Sequence, residues 1–153
     1  MDFKIVSSKY EEANELLRIQ IEAFHSDIIK YKDYHLSPAT ESWNNFVFRM
    51  LTTSHFSIYV DDKLAGGICI VKRADNHNYL YRIFLGSEYQ NNGLGSKVLR
   101  QLEYRYPEVK KWSLDTPKDN QRNRHFYEKL GYKKTGEQII NEYLTLIDYE
   151  KIL

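Results

Sequence analysis

Cysteine is nearly absent from this chain. Cys69 stands alone, which excludes an internal disulfide framework. Proline is scarce, with three in 153 residues, and the seven glycines fall mostly at element boundaries. There is no repeat, low-complexity tract or linker. No apolar run approaches the ~20 residues that span a bilayer. Met1-Asp2-Phe3-Lys4 lacks the basic start and apolar core of a signal peptide. A cytoplasmic protein without a membrane partner is expected. Nor does one sign of charge dominate: the formal net charge is +1, with acids and bases interspersed. A nucleic-acid binder would show a basic face, so that class is excluded. The five histidines form no i, i+4 pair and no His-Glu-x-x-His, so no metal is expected.

What is present is the composition of a globular protein, 42% hydrophobic and 28% charged. The length fits one domain over residues 1–153 with a real core. Nothing in the sequence excludes a homodimer. Thirteen tyrosines raise the aromatic content; they suit half-buried positions where the ring packs and the hydroxyl stays wet, or an aromatic-lined site. Charge is uneven along the chain. Residues 1–62 hold ten acids (Asp2, Glu11, Glu12, Glu15, Glu22, Asp27, Asp33, Glu41, Asp61, Asp62) and six bases (Lys4, Lys9, Arg18, Lys30, Lys32, Arg49). This fits solvated faces, or an anionic ligand on the C-terminal side and a cationic one on the N-terminal side.

Hydrophobic periodicity predicts a short strand over Phe3 to Val6 and a helix from Tyr10 to about Ile29. Pro38 is placed to open a second helix, which carries Trp43, Phe46, Val47, Met50 and Leu51 on one face. Trp43 is expected in the core. His55–Val60 and Lys63–Arg73 read as strands around the turn Asp61-Asp62. Tyr79–Leu85 is a third strand. A helix follows from Leu94 to Tyr106 and ends at Pro107. Trp112–Thr116 is a strand, Asn120–Leu130 a helix with Gly131 at its C′ position, and Tyr143–Tyr149 a closing strand. Cys69 sits in a buried-strand composition and reads as core. The order β-α-α-β-β-β-α-β-α-β-β predicts an α/β fold with a mixed sheet.

Gln90-Asn91-Asn92-Gly93-Leu94-Gly95 lies between a strand and a helix. Such a turn aims backbone N–H groups outward at a helix N-terminus and so suits phosphate. It is neither a Walker motif nor a dinucleotide fingerprint, because the required Lys and third Gly are missing. Downstream, Asn120-Gln121-Arg122-Asn123-Arg124-His125-Phe126-Tyr127-Glu128-Lys129-Leu130-Gly131-Tyr132 forms a second distinctive segment. Together, in this order and with a helix and a strand between them, the two segments resemble the acyl-CoA motifs of the GNAT superfamily of N-acetyltransferases.

That resemblance implies a central mixed, mostly antiparallel sheet flanked by helices, with acetyl-CoA as acyl donor. It implies that backbone amides of Gln90, Asn91, Asn92, Gly93, Leu94, Gly95 and Ser96 cradle the CoA pyrophosphate. Backbone groups around Phe84 and Leu85 would pair with the pantetheine arm. The Leu85 N–H, near a strand bulge, would polarise the thioester carbonyl. Asn120 would bind the cofactor arm, and Arg122 and Arg124 read as solvent charges or CoA-phosphate contacts. Tyr127 would face the sulfur as the catalytic acid, since a phenol of pKa ~10 is a workable donor to a departing thiolate. The family's strand glutamate is missing from Tyr79–Leu85. Asp115, His35, Glu88 or a water relayed through Tyr81 are the candidates for the base.

The expected activity is direct transfer of an acetyl group from acetyl-CoA to a primary amine, either a small cationic amine or a peptide or protein amine. The acidic N-terminal half and Tyr31-Lys32-Asp33-Tyr34-His35 point that way. A non-catalytic acyl-CoA sensor, or a structural domain, are the alternatives.

Overall fold

Strands with alternating burial and helices with one apolar stripe pack here as three layers. The computed structural model describes residues 2–32 and 37–153. The elements are β1 (Phe3–Ser7), α1 (Ala13–Tyr31), α2 (Trp43–Thr52), β2 (Ser54–Val60), β3 (Lys63–Ala74), β4 (His77–Leu85), α3 (Leu94–Arg105), β5 (Lys111–Pro117), α4 (Gln121–Lys129), β6 (Lys133–Ile139) and β7 (Thr145–Ile152). The order matches the one expected. The strands form one sheet in the order β1-β2-β3-β4-β5-β7-β6. Every neighbouring pair is antiparallel except β4 and β5.

Each face of the sheet buries its own core. On one side Val98, Leu99 and Leu102 of α3 pack with Ile58, Ile68, Leu80, Trp112 and Leu114 from the strands. On the other, Leu16 and Leu17 of α1 and Phe46, Val47 and Met50 of α2 close around Phe84. Cys69 is buried, with Sγ 3.2 Å from the Thr53 hydroxyl. No described helix is long and apolar enough to cross a membrane.

Several boundaries differ from the sequence reading, each for a local reason. Pro38 opens only a single 3-10 turn, Pro38–Thr40. α2 starts later because the Ser42 hydroxyl accepts the Asn45 N–H at 3.2 Å, a side-chain cap. α1 is preceded by a 3-10 turn at Tyr10–Glu12. Trp43 is not core: it is part exposed and sits edge-on to Tyr10. The last strand begins two residues late because the Asn141 side-chain oxygen accepts the N–H groups of Tyr143 and Leu144 at 2.7 and 2.8 Å. Gly131 does take the left-handed conformation expected after α4, with φ 100°. Asp61 and Asp62 both have positive φ, the geometry of a tight hairpin turn.

His55 of β2 lies in the second core, 5.4 Å from the Phe46 ring centroid, with Nδ1 2.7 Å from the Ser8 hydroxyl. Burial, then the nearby Arg49 and Arg82, push its pKa down from 6.5 to about 4. The folded state therefore binds fewer protons here than the unfolded chain. Stability from neutral His55 is fully present above pH 6.5 and is lost as pH falls toward 4, on the order of 3 kcal/mol in total. Denaturant titrations between pH 7 and pH 4 should show a steeper loss in the parent protein than in His55→Gln. Equal slopes would remove His55 as the cause.

Candidate active site

The site is built by a break in the sheet. β4 pairs with β5 only through His77, Asn78 and Tyr79, against Lys111, Trp112 and Ser113. Beyond them β4 stays with β3 and β5 stays with β7, and the two strands part. The parting coincides with a bulge. Cys69 pairs with Arg82 and Ile70 with Leu80, leaving Tyr81 as the extra residue, and a bulge bends its strand. The bulge thus lies four residues before Leu85 rather than beside it.

Register decides which backbone groups face the gap. The Gly86 N–H donates to the Ala65 oxygen at 2.8 Å. The next pairs are Gly66 with Leu85, Gly67 with Phe84 and Ile68 with Ile83. Antiparallel pairs alternate between bonded and non-bonded. Leu85 and Ile83 therefore turn their N–H and C=O away from β3, into the gap. Phe84 turns its backbone to β3 and its ring into the α1–α2 core. The backbone groups turned to the gap are those of Ile83 and Leu85, and those of Phe84 turn to β3. Only the strand register, which the sequence does not display, carries that signal. The Leu85 oxygen accepts from the Gln90 side-chain amide at 2.8 Å.

On one side of the gap lies a cavity of about 590 Å³. Of the residues expected at the donor site, Phe84, Leu85, Gln90, Asn91, Gly93, Leu94, Gly95, Ser96, Asn120 and Tyr127 line it; Asn92 does not. Gly93 caps α3 with φ 81° and offers no side chain, so the first-turn amides of Gly95 and Ser96 keep no side-chain acceptor. Two groups of the expected cradle are already engaged. The Gln90 N–H bonds the Ser87 oxygen and the Leu94 N–H bonds the Asn92 side chain. Arg122 bonds the Asn91 side chain and lines the cavity with Lys129. Arg124 is turned away, held by the Tyr149 hydroxyl and the Lys118 oxygen. Asn120 caps α4, its side-chain oxygen 3.0 Å from the Asn123 N–H.

A second cavity, of about 340 Å³, holds Tyr79, Tyr81, Arg82, Asp115 and Thr116. Phe24, Asp27, Ile83, Asn120, Asn123 and Tyr127 border both cavities. Tyr127 is buried, between the rings of Phe126 and Tyr132. Its hydroxyl has no hydrogen-bond partner among the described residues. Burial first, and the charge of Asp115 second, raise its pKa well above the usual phenol value. Asp115 accepts a hydrogen bond from the Tyr79 hydroxyl. Burial, and Asp148 opposite it on β7, push its pKa up despite that bond and Arg73.

Among the other candidates for the base, Tyr81, the candidate for a water relay, lines the second cavity. Glu88 is exposed and lines neither cavity. Asp33, Tyr34 and His35 lie outside the described residues. Several acids of the N-terminal half have partners elsewhere: Glu12 with Tyr59 and Ser57, Glu15 and Glu22 with Arg18, Glu41 with arginines. Among the described residues no group of three or more His, Cys, Asp or Glu side chains could hold a metal.

This is an α/β protein with a ligand slot cut between two strands of its sheet and a helix N-terminus beside the slot. Residues 14–132 match the family described as "Acetyltransferase (GNAT) family", and the chain belongs to it. Over 89 residues it is 30% identical to "Uncharacterized protein YrkN" of Bacillus subtilis (strain 168). That match covers 58% of this chain and 46% of the relative, so the chain spans about half the relative's length. Its fold resembles the PaiA N-acetyltransferase of Thermoplasma acidophilum in complex with coenzyme A, with TM-score 0.73 and 20% identity over all of both chains. It also resembles the ribosomal-protein-S18-alanine N-acetyltransferase of Escherichia coli, with TM-score 0.78 and 17% identity over 99% of this chain and 94% of that one.

Gly93 tests the cap. A Cβ there would meet nothing within 4 Å, so Gly93→Ala adds only backbone strain at φ 81°. A loss of about 1 kcal/mol in unfolding free energy is expected. A neutral or stabilising result would mean that this φ is not fixed.

Proposed function

We propose that the protein transfers an acetyl group from acetyl-CoA to a primary amine by direct transfer in a ternary complex. The observation that carries this reading is the Tyr127 hydroxyl, on a buried ring and with no protein partner among the described residues, where two cavities share a wall. One cavity has the features of a donor site: the uncapped N-terminus of α3, basic Arg122 and Lys129, and the open edge of β4. Those residues fit a pyrophosphate and an extended amide-bearing arm. Gly93, Gly95 and Ser96 supply the amides, with Asn91, Asn92, Gln90 and Leu94 shaping the turn. Ile83, Leu85 and Asn120 flank the arm. The other cavity receives the amine.

Acetyl-CoA supplies an activated acyl carbon and a thiol leaving group. The Leu85 N–H is the donor available to the acyl carbonyl. Tyr127 keeps its proton at neutral pH, because burial disfavours the phenolate, and holds it at Oη for the departing sulfur. Asp115 takes a proton from the incoming ammonium. Its raised pKa makes it a stronger base than an exposed carboxylate, and the Tyr79 hydroxyl fixes its orientation. Much of the remaining gain is positional, since amine and donor are held on two sides of one wall.

The test is amine-dependent release of free thiol from acetyl-CoA. Tyr127→Phe should lower kcat by about 10²- to 10⁴-fold while keeping the CoA-induced rise in melting temperature. Undiminished turnover in that variant would remove Tyr127 from the chemistry. Asp115→Asn should lower kcat/KM at neutral pH and recover as pH rises and the amine deprotonates on its own. A parallel pH profile in parent and variant would exclude Asp115 as the base. Tight CoA binding with no thiol release for any amine would favour the sensor reading.

A further inference from the structure

The wall of the smaller cavity hides an unbalanced charge. Glu41 is almost fully buried, with its side chain 7% exposed, and faces two arginines. Arg49 binds both its oxygens. Arg82 Nη1 approaches Glu41 Oε1 at 3.2 Å and Gln20 Oε1 at 3.3 Å. Gln20, itself 1% exposed, donates to Glu41 and to the Pro38 oxygen. One carboxylate thus serves two guanidiniums. Both cations also stack on the Tyr81 ring, at 4.7 and 4.9 Å. The pKa of His55 is depressed first by burial and then by both arginines, so it registers part of the same positive field.

Arg82 is the half-used member. Its side chain is 10% exposed. All its hydrogen bonds run through Nη1; Nε and Nη2 have no acceptor among the described residues. Neither is among the fully buried unpartnered atoms, so both stay reachable from the cavity that Arg82 lines. Arg82 borders the cavity that also carries Asp27, Asp115 and Tyr127, and it is the one cation among the described residues lining it. It makes no ion pair with Asp115, which is bonded to Tyr79 instead.

We propose that the acceptor carries a carboxylate as well as its amine, and that Arg82 binds that carboxylate through Nε and Nη2. This rests on the acetyltransferase reading of the same site and narrows its substrate class to amino acids and other carboxy-bearing amines. The planar fork of an arginine suits a carboxylate, and the bond is charge-assisted. The two ends of such an acceptor match two charges of the cavity: ammonium toward Asp115, carboxylate toward Arg82. In the transfer, the acyl carbon–sulfur bond breaks and a carbon–nitrogen bond forms. The ammonium gives one proton to Asp115 before attack, and that proton passes on to solvent. Tyr127 protonates the departing thiolate, and the second proton lost by the nitrogen after attack restores the Tyr127 hydroxyl. Amide, thiol and one released proton are the products. The acceptor carboxylate stays unchanged. A merely cationic amine would leave Arg82 uncompensated.

The experiment pairs each acid with its amide: glycine, alanine, phenylalanine, β-alanine and 4-aminobutyrate against the corresponding carboxamides. Binding to the CoA-loaded protein is measured by calorimetry, and acetyl transfer by thiol release. At least one acid should bind and react roughly ten- to a hundredfold better than its amide. Arg82→Met should abolish that ratio, and Arg82→Lys should keep part of it. The ratio is insensitive to a general loss of stability, and the CoA-induced thermal shift reports whether each variant is folded. Absence of any acid-over-amide preference in the parent protein overturns the proposal, as does a preference unchanged in both variants. Carboxylate-selective binding without transfer would sink the acetyltransferase reading and leave this one standing. Transfer without selectivity would do the reverse.

Discussion

Three residues of parallel pairing organise the site. His77, Asn78 and Tyr79 tie β4 to β5, and the Tyr81 bulge then bends β4 away. A fully paired sheet would have its backbone donors occupied at this point and no opening. Because pairing stops, the Ile83 and Leu85 backbone groups turn toward a gap instead of a neighbouring strand. The same parting lets Tyr127 of α4 reach through to the α1–α2 side, where Asp115 and Arg82 stand. The cavities are therefore two halves of one interruption. Parting strands leave polar groups that need partners, and a ligand lying along β4 as an added strand would supply them.

The two halves differ in electrostatic character. The donor side offers dipoles and exposed cations: the uncapped α3 N-terminus, Arg122 and Lys129. These suit a strongly hydrated polyanion that needs only modest desolvation. The other side offers buried, individually fixed charges, Asp115 held by Tyr79 and Arg82 held by Gln20 and Glu41. Buried charges act at higher strength but are costly when left unmatched. Such a place selects its ligand by chemical complement more than by general attraction.

The sequence displayed what is local. The Gln90–Gly95 turn and the Gly131 stop each depend on a few adjacent residues, and both occur where expected. The α/β order followed from periodicity alone. What was hidden depends on register or on distant partners. Phe84 and Leu85 look equivalent in sequence, but a one-residue offset against β3 turns one backbone inward and the other into the gap. Glu41 and Arg82 lie 41 positions apart, and nothing local announces their contact. The acidic excess of the N-terminal half looked like a cation site. Folding instead gives several of those acids, among them Glu12, Glu15, Glu22 and Glu41, partners in Tyr59, Ser57, Arg18 and Arg49. Trp43 lies on the periodic face of α2 but at its first residue, beyond the reach of the core.

The arginine pair also accounts for the missing strand acid. A carboxylate at Tyr81 would stand within the reach of Arg49 and Arg82, whose guanidiniums already flank that ring. Opposite charges at such range favour the ionised form and lower its pKa. Held in an ion pair, it would be a weak base, and it would occupy the Arg82 donors that face the cavity. Asp115 sits one strand away, with no arginine ion pair. There the lowering by the Tyr79 hydrogen bond and Arg73 is outweighed by burial and Asp148. Under the proposed mechanism, an acid on β5 in place of β4 keeps a base near Tyr127 and leaves Arg82 open to the proposed acceptor carboxylate. On that reading the departure from the family pattern and the positive cluster are one arrangement.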